Sequence, residues 1–177
     1  MSKEELQQIT DHIRATLKAE ETKLIKARHD KKRANIRLLL RNYRNIVRHV
    51  EYTEYEPHKF AKRDDLLKEI LELMDGGDTS KFELNSLLES SVKSRMLLDH
   101  IDNMLDVYRW TCETSDKPED ERRERIIYAR YIADKPQTIE EIAQAENIDT
   151  RTVYRDIDAA CEVLTVLFFG VFGLQFL

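Results

Sequence analysis

Glycine and proline are nearly missing from this chain, with four and three among 177 residues. A β-sandwich or barrel needs turn residues at short intervals, so the scarcity excludes both and predicts an almost entirely helical protein. Cysteine is equally sparse. Cys112 and Cys161 stand far apart in the sequence, and neither a metal spacing nor a disulfide framework results; both are read as free thiols in a reducing cytosol. The histidines, His12, His29, His49, His58 and His100, follow no metal-ligand spacing, and no glycine-rich phosphate loop occurs. The chain is therefore expected not to be an enzyme, with no catalytic residue, metal or cofactor. The N-terminus, MSKEELQQIT, lacks the apolar core of an export signal, and a cytoplasmic location is expected. The uncharged run Val163–Leu177 has fifteen residues, short of the roughly twenty that span a bilayer, so no membrane span is expected.

Charge is abundant. Charged residues make up 36% of the chain and apolar ones 41%, enough for folded cores in one ordinary domain or two small ones. The net charge of -5 conceals a strong segregation: Lys23 to Arg48 carries ten bases against Asp30 alone, whereas Glu51 to Asp120 carries eighteen acids against nine bases. An acidic balance of this kind does not exclude DNA, because clustered charge on one surface decides binding. Before Pro57 there is neither Gly nor Pro, and Leu6, Ile9, Ile13, Leu17 and Leu24 keep the spacing of a long helix with a seam for a partner helix. Ile36, Leu39, Leu40, Tyr43, Ile46, Val47 and Val50 continue the helical period in a shifted phase, which predicts a bend or hairpin near Asp30 to Ala34. The basic side chains of this second stretch either track phosphates by counterion release, face solvent, or partner the acidic middle of the chain. Further on, Leu66, Leu67, Ile70, Leu71 and Met74 form a stripe ending at Gly76-Gly77, and Ser80 with Glu83 offers a capping box before a second long helix reaching Tyr108.

The densest local signal lies at Thr138 to Ala160, TIEEIAQAENIDTRTVYRDIDAA. Thr138 and Glu141 have the spacing of a reciprocal capping box, so a short helix begins at Ile139. Ile142 and Ala143 face inward, and a small residue at 143 lets a second helix cross closely. Asn147 occupies the turn position that calls for positive φ. Ile148 returns to the core, Asp149 caps the next helix, and Val153 and Ile157 supply its buried stripe. Thr150, Arg151, Thr152, Tyr154 and Arg155 remain on or near the outward N-terminal face, a set suited to reading base edges and phosphates in a DNA groove; the alternative is a solvated helical hairpin.

The run from Pro118 to Gly170, PEDERRERIIYARYIADKPQTIEEIAQAENIDTRTVYRDIDAACEVLTVLFFG, resembles region four of bacterial sigma factors, in which a preceding helix supports a promoter-binding helix-turn-helix. Its end, VLTVLFFGVFGL, together with the helical N-terminal part, is similar to the ArpU and RinA-like phage proteins, regulators of late genes in prophages of Gram-positive bacteria. Carried over by position, the resemblance implies DNA contacts at Thr150, Arg151, Thr152, Tyr154 and Arg155. Asp156 and Asp158 depart from it, since sigma-like recognition helices often carry further basic residues there. Arg122, Arg123, Arg125 and Arg130 in the supporting helix are candidates to touch the phosphate backbone, Arg122, Arg123 and Arg130 foremost, or else to pair with the nearby Glu121 and Glu124.

The expected architecture is all-α: a helical scaffold over 1–113 for oligomerisation or polymerase binding, a polar linker at 114–120, and a sigma-region-four-like helix-turn-helix over 121–177 with its apolar end as a cap. The expected function is a sequence-specific double-stranded DNA-binding regulator, a phage or prophage late-gene activator acting with RNA polymerase or a second subunit. Two alternatives use the same features: a small-terminase-like DNA packaging subunit, and a helical protein–protein adaptor.

Overall fold

The protein is described here by a computed structural model covering residues 3–52 and 91–173, with side chains over 7–51 and 93–170. The expected break at Pro57, the Leu66–Met74 stripe, the Ser80–Glu83 capping box and the side chains of Phe172 and Phe176 lie outside the described residues. Among the described residues the fold is all-α with no strand. Helices α1 (Lys3–Tyr52), α2 (Ser91–Glu113), α3 (Pro118–Ile127), α4 (Ile139–Ala145) and α5 (Thr150–Gly173) follow in order, with one π-helical turn at Tyr128–Ile132 between α3 and α4. No described helix is long and apolar enough to cross a membrane.

No hairpin forms near Asp30 to Ala34, since α1 is one unbroken helix. The change of phase has another cause. Ile36, Leu39, Leu40 and Ile46 turn toward the core and are fully buried, whereas every described residue from Gln7 to Arg28 is exposed. The two apolar stripes therefore answer to different surroundings along one continuous helix of 50 residues, about 75 Å at the helical rise.

One continuous cluster joins the second half of α1 to α2, α3, the π-helical turn, α4 and α5. Its centre is built from Ile36, Leu39, Leu97, Ile101, Ile126, Val153 and Leu164, all at 1% exposure or less. Segment 114–117 is a tight turn rather than a spacer: Thr114 N–H donates to the Trp110 carbonyl at 3.0 Å, and Ser115 Oγ donates to Asp120 Oδ2 at 2.7 Å. Pro118 opens α3 as expected, with Glu119, Asp120 and Glu121 favourably placed in its first turn. As far as Gly173, the apolar C-terminal run continues the helix α5. Phe168 meets His100 of α2 edge-on at 5.2 Å, and Lys32 of α1 lies 5.2 Å from the Phe169 ring centroid.

Polar links fix the layers. Tyr43 Oη donates to Asp102 Oδ1 at 2.8 Å, joining α1 to α2, and Arg109 Nε donates to Glu124 Oε1 at 3.2 Å, joining α2 to α3. Burial, reinforced by the bond to Asp102, pushes the Tyr43 phenol up. Cys112 and Cys161 are free and buried, and burial raises both thiols.

Because the core crosses the 114–117 turn without interruption, unfolding is expected to be a single transition that includes α4 and α5. Ile101→Ala, at a site with 0% exposure, should lower stability by about 2–5 kcal/mol. In urea titrations, circular dichroism and amide exchange of α5 should shift together; an α5 that outlasts the rest would overturn the shared core.

Candidate nucleic-acid interface

The α4–α5 corner is set by local bonds that the sequence spells out. Thr138 Oγ1 accepts from Glu141 N–H at 3.2 Å while Glu141 Oε2 accepts from Thr138 N–H at 2.7 Å, so the capping box is closed in both directions. At the other end of α4, Asn147 adopts φ 54°, the only positive value at a non-glycine among the described residues. Its N–H donates to the Gln144 carbonyl at 3.3 Å, and Ile148 N–H reaches back to the Ala143 carbonyl at 3.0 Å. These are the paired bonds of a Schellman motif, with Asn147 in the left-handed position and Ile148 partly buried against the core. Asp149 then caps α5: its Oδ1 accepts from Thr152 N–H and its Oδ2 from Thr152 Oγ1, both at 2.8 Å.

The five outward residues follow from this start. Thr150 and Arg151 are exposed at the first turn, and Tyr154 and Arg155 are exposed at the second. Thr152 is half-buried, and its hydroxyl proton is committed to Asp149, which leaves it only an acceptor for an external group. Opposite them, Val153 and Ile157 are buried as expected. The open face is short. Arg151, Arg155, Asp158 and Glu162 follow one another at helical spacing, but α1 crosses the helix at the last two. Arg37 pairs with Asp158, while Arg33 Nη1 and His29 Nε2 meet the Glu162 carboxylate at 2.5 and 3.1 Å. The cations of Lys23 to Arg48 thus include the counter-charges of α5, a pairing outside the three choices of phosphate, solvent and the acidic middle of the chain. Arg44 lies further along α1 and donates to the carbonyls of Ile132 and Asp134, where the π-helical turn ends.

Asp156 does not face outward. It is 4% exposed and lies between two guanidinium groups of α3, with Arg122 Nε at 2.8 Å from Oδ2 and Arg123 Nε at 3.4 Å from Oδ1. The departure at 156 and 158 therefore involves structural carboxylates, one satisfied by α3 and one by α1. Arg122 and Arg123 are drawn inward to Asp156 and Asp120, and Arg130 Nη1 donates to the Gln137 carbonyl at 2.8 Å. Of the cations singled out in the sequence, Arg151 and Arg155 are the ones on the open end of α5.

Arg125 meets one of the nearby acids its spacing offered, Glu121 at 3.9 Å, but its main partner escaped sequence reasoning. Arg125 grips Glu146 with two parallel bonds, Nε to Oε1 at 2.9 Å and Nη2 to Oε2 at 2.8 Å, which ties the last turn of α4 to α3. The partners are 21 residues apart, and no local spacing announces such a pair.

No family model, curated protein or solved structure matches this chain. Among the described residues no cluster of His, Cys, Asp and Glu is arranged to hold a metal ion.

Three carboxylates of the corner sit below their ordinary range. The bond from Arg125 lowers Glu146, those from Thr152 lower Asp149, and the Thr138 N–H lowers Glu141. A depressed folded-state value contributes stability above the unfolded value and loses it as pH falls through the folded one. The corner is therefore expected to be fully tied at neutral pH and to loosen on acidification below about pH 4. Amide exchange of Ile148 and Thr152 should then accelerate before that of Ile101; simultaneous loss would contradict the assignment. Asp156→Ala leaves two arginines without their buried acceptor and should lower stability by about 2–4 kcal/mol, with Asp156→Asn milder. A melting temperature unchanged by Asp156→Ala would remove the brace from the account.

Proposed function

We propose that the protein is a sequence-specific double-stranded DNA-binding transcriptional regulator that reads the major groove with the N-terminal end of α5. In this reading α4 and α5 form a helix-turn-helix, α3 braces the recognition helix from behind, and α1 with α2 forms the scaffold. The observation that carries it is the exposed set of Arg151, Tyr154 and Arg155 at the end of a helix whose opposite side is locked into the core. Arginine presents a planar fork able to bond both acceptors of guanine, and the Tyr154 and Thr150 hydroxyls suit phosphate oxygens. Such a reader must hold its helix rigidly, because a small rotation carries the side chains out of register with the base pairs. The capping box, the Schellman turn and the Asp156 brace meet that requirement.

The resemblance to sigma region four and to ArpU and RinA-like phage regulators narrows the proposal to a late-gene activator acting beside RNA polymerase. The shortness of the open face agrees with this. With Asp158 and Glu162 engaged by α1, two turns of α5 remain to meet DNA, and a second subunit or the polymerase would supply the remaining contacts.

The test begins with selection of bound fragments from a random DNA pool, followed by affinity measurements on the recovered consensus. Arg151→Ala combined with Arg155→Ala should weaken specific binding at least about thirtyfold, since each bidentate base contact is worth about 1–3 kcal/mol. The melting temperature should stay unchanged because both side chains are exposed. Equal affinity of the variant in gel shifts, or no consensus from the pool, would sink the proposal.

A further inference from the structure

The first half of α1 carries an apolar stripe that the folded core does not use. Ile9, Ile13, Leu17, Leu24 and Ile25 are 50–68% exposed, and no described residue from Gln7 to Arg28 is buried. At 3.6 residues per turn, Ile9, Ile13, Leu17 and Leu24 lie within about 80° of one another on the helix. Their centre is rotated by about 90° from the face that Ile36, Leu39, Ile46 and Val50 turn to the core, so the two stripes look in different directions. The arm also leaves the core at the pole away from the start of α5. Arg33 meets Glu162 and Arg37 meets Asp158, so the two helices run in opposite directions and residues before His29 extend past the C-terminal half of α5.

We propose that this arm, residues 7–28, pairs with the same segment of a second copy as an antiparallel coiled coil. The charges beside the stripe select both partner and direction. Arg14 and Glu21 lie seven residues apart on one flank. In an antiparallel pair that places Ile13 against Leu24 of the second copy, Arg14 faces Glu21 of the second copy, and symmetry makes the contact twice. A parallel pair brings the opposite flank against Arg14 and Glu21, where Ile9 and Thr16 offer no charge, and sets Lys23 beside Arg28 of the second copy. Arg14 keeps a contact of 3.5 Å to Asp11 within its own helix, at an exposed site where such pairs contribute little and yield easily. Glu20 falls within the seam beside Leu17, a polar residue of the kind that costs stability while restricting register.

Sedimentation equilibrium of the full chain over a concentration series provides the test. The natural chain should approach twice its 21.0 kDa mass, and Ile13→Asn with Leu24→Asn should remain monomeric with unchanged helicity. Arg14→Glu should weaken the dimer about tenfold by turning two attractions into two repulsions. Adding Glu21→Arg should restore it. A monomer at all concentrations, a dimer indifferent to Ile13 and Leu24, or a double charge variant no tighter than Arg14→Glu alone would each overturn the proposal.

Discussion

The carboxylate of Asp156 is the interaction on which the rest of this structure depends. It is buried on α5 and meets two arginines of α3, so the rotation of α5 about its own axis is fixed from behind. A charge so placed tolerates little displacement, because withdrawing it from either guanidinium leaves a buried ion poorly compensated. The orientation of α4 follows from the same restraint. Arg125, three residues after Arg122 on α3, grips Glu146 at the end of α4, so α3 sets the position of both helices at once.

Charge segregation along the chain acquires a physical meaning in the fold. The basic stretch of α1 answers the acids that continue the outer face of α5, and Arg44 satisfies carbonyls where the π-helical turn ends. Exposed pairs of this sort contribute modestly to stability one by one. Their larger effect is geometric: they seat a long helix across α5 at a fixed place and leave its first turns open. The segregation also divides α1 into a half that docks on the core and a half that projects from it.

Local chemistry was legible in the sequence and long-range chemistry was not. The capping box, the positive φ at Asn147 and the Asp149 cap rest on bonds within a few residues, while the helical period marks Val153 and Ile157 and the fixed φ of proline marks the start at Pro118. Arg122 and Arg123 gave no sign of their partner, because Asp156 lies more than thirty residues away and nearer acids competed for the assignment. The phase change in α1 suggested a bend, since apolar periodicity reports which side is covered and not whether the backbone turns. The polar stretch near residue 114 suggested a spacer for a similar reason: composition marks a surface turn equally well whether the core continues beneath it or stops.

The continuity of α5 has a consequence for how such a protein can diversify. One helix is both the spine of the core and the bearer of the open face, and from Asp156 onward most of it packs on α3, α1 and α2, with Val163 and Val166 left exposed. If α5 reads DNA as proposed, heritable change in its target would be channelled into Thr150, Arg151, Tyr154 and Arg155, which are exposed and can vary with little effect on folding. Descendants of one ancestor would then share the spine nearly unaltered while differing in target through a four-letter patch.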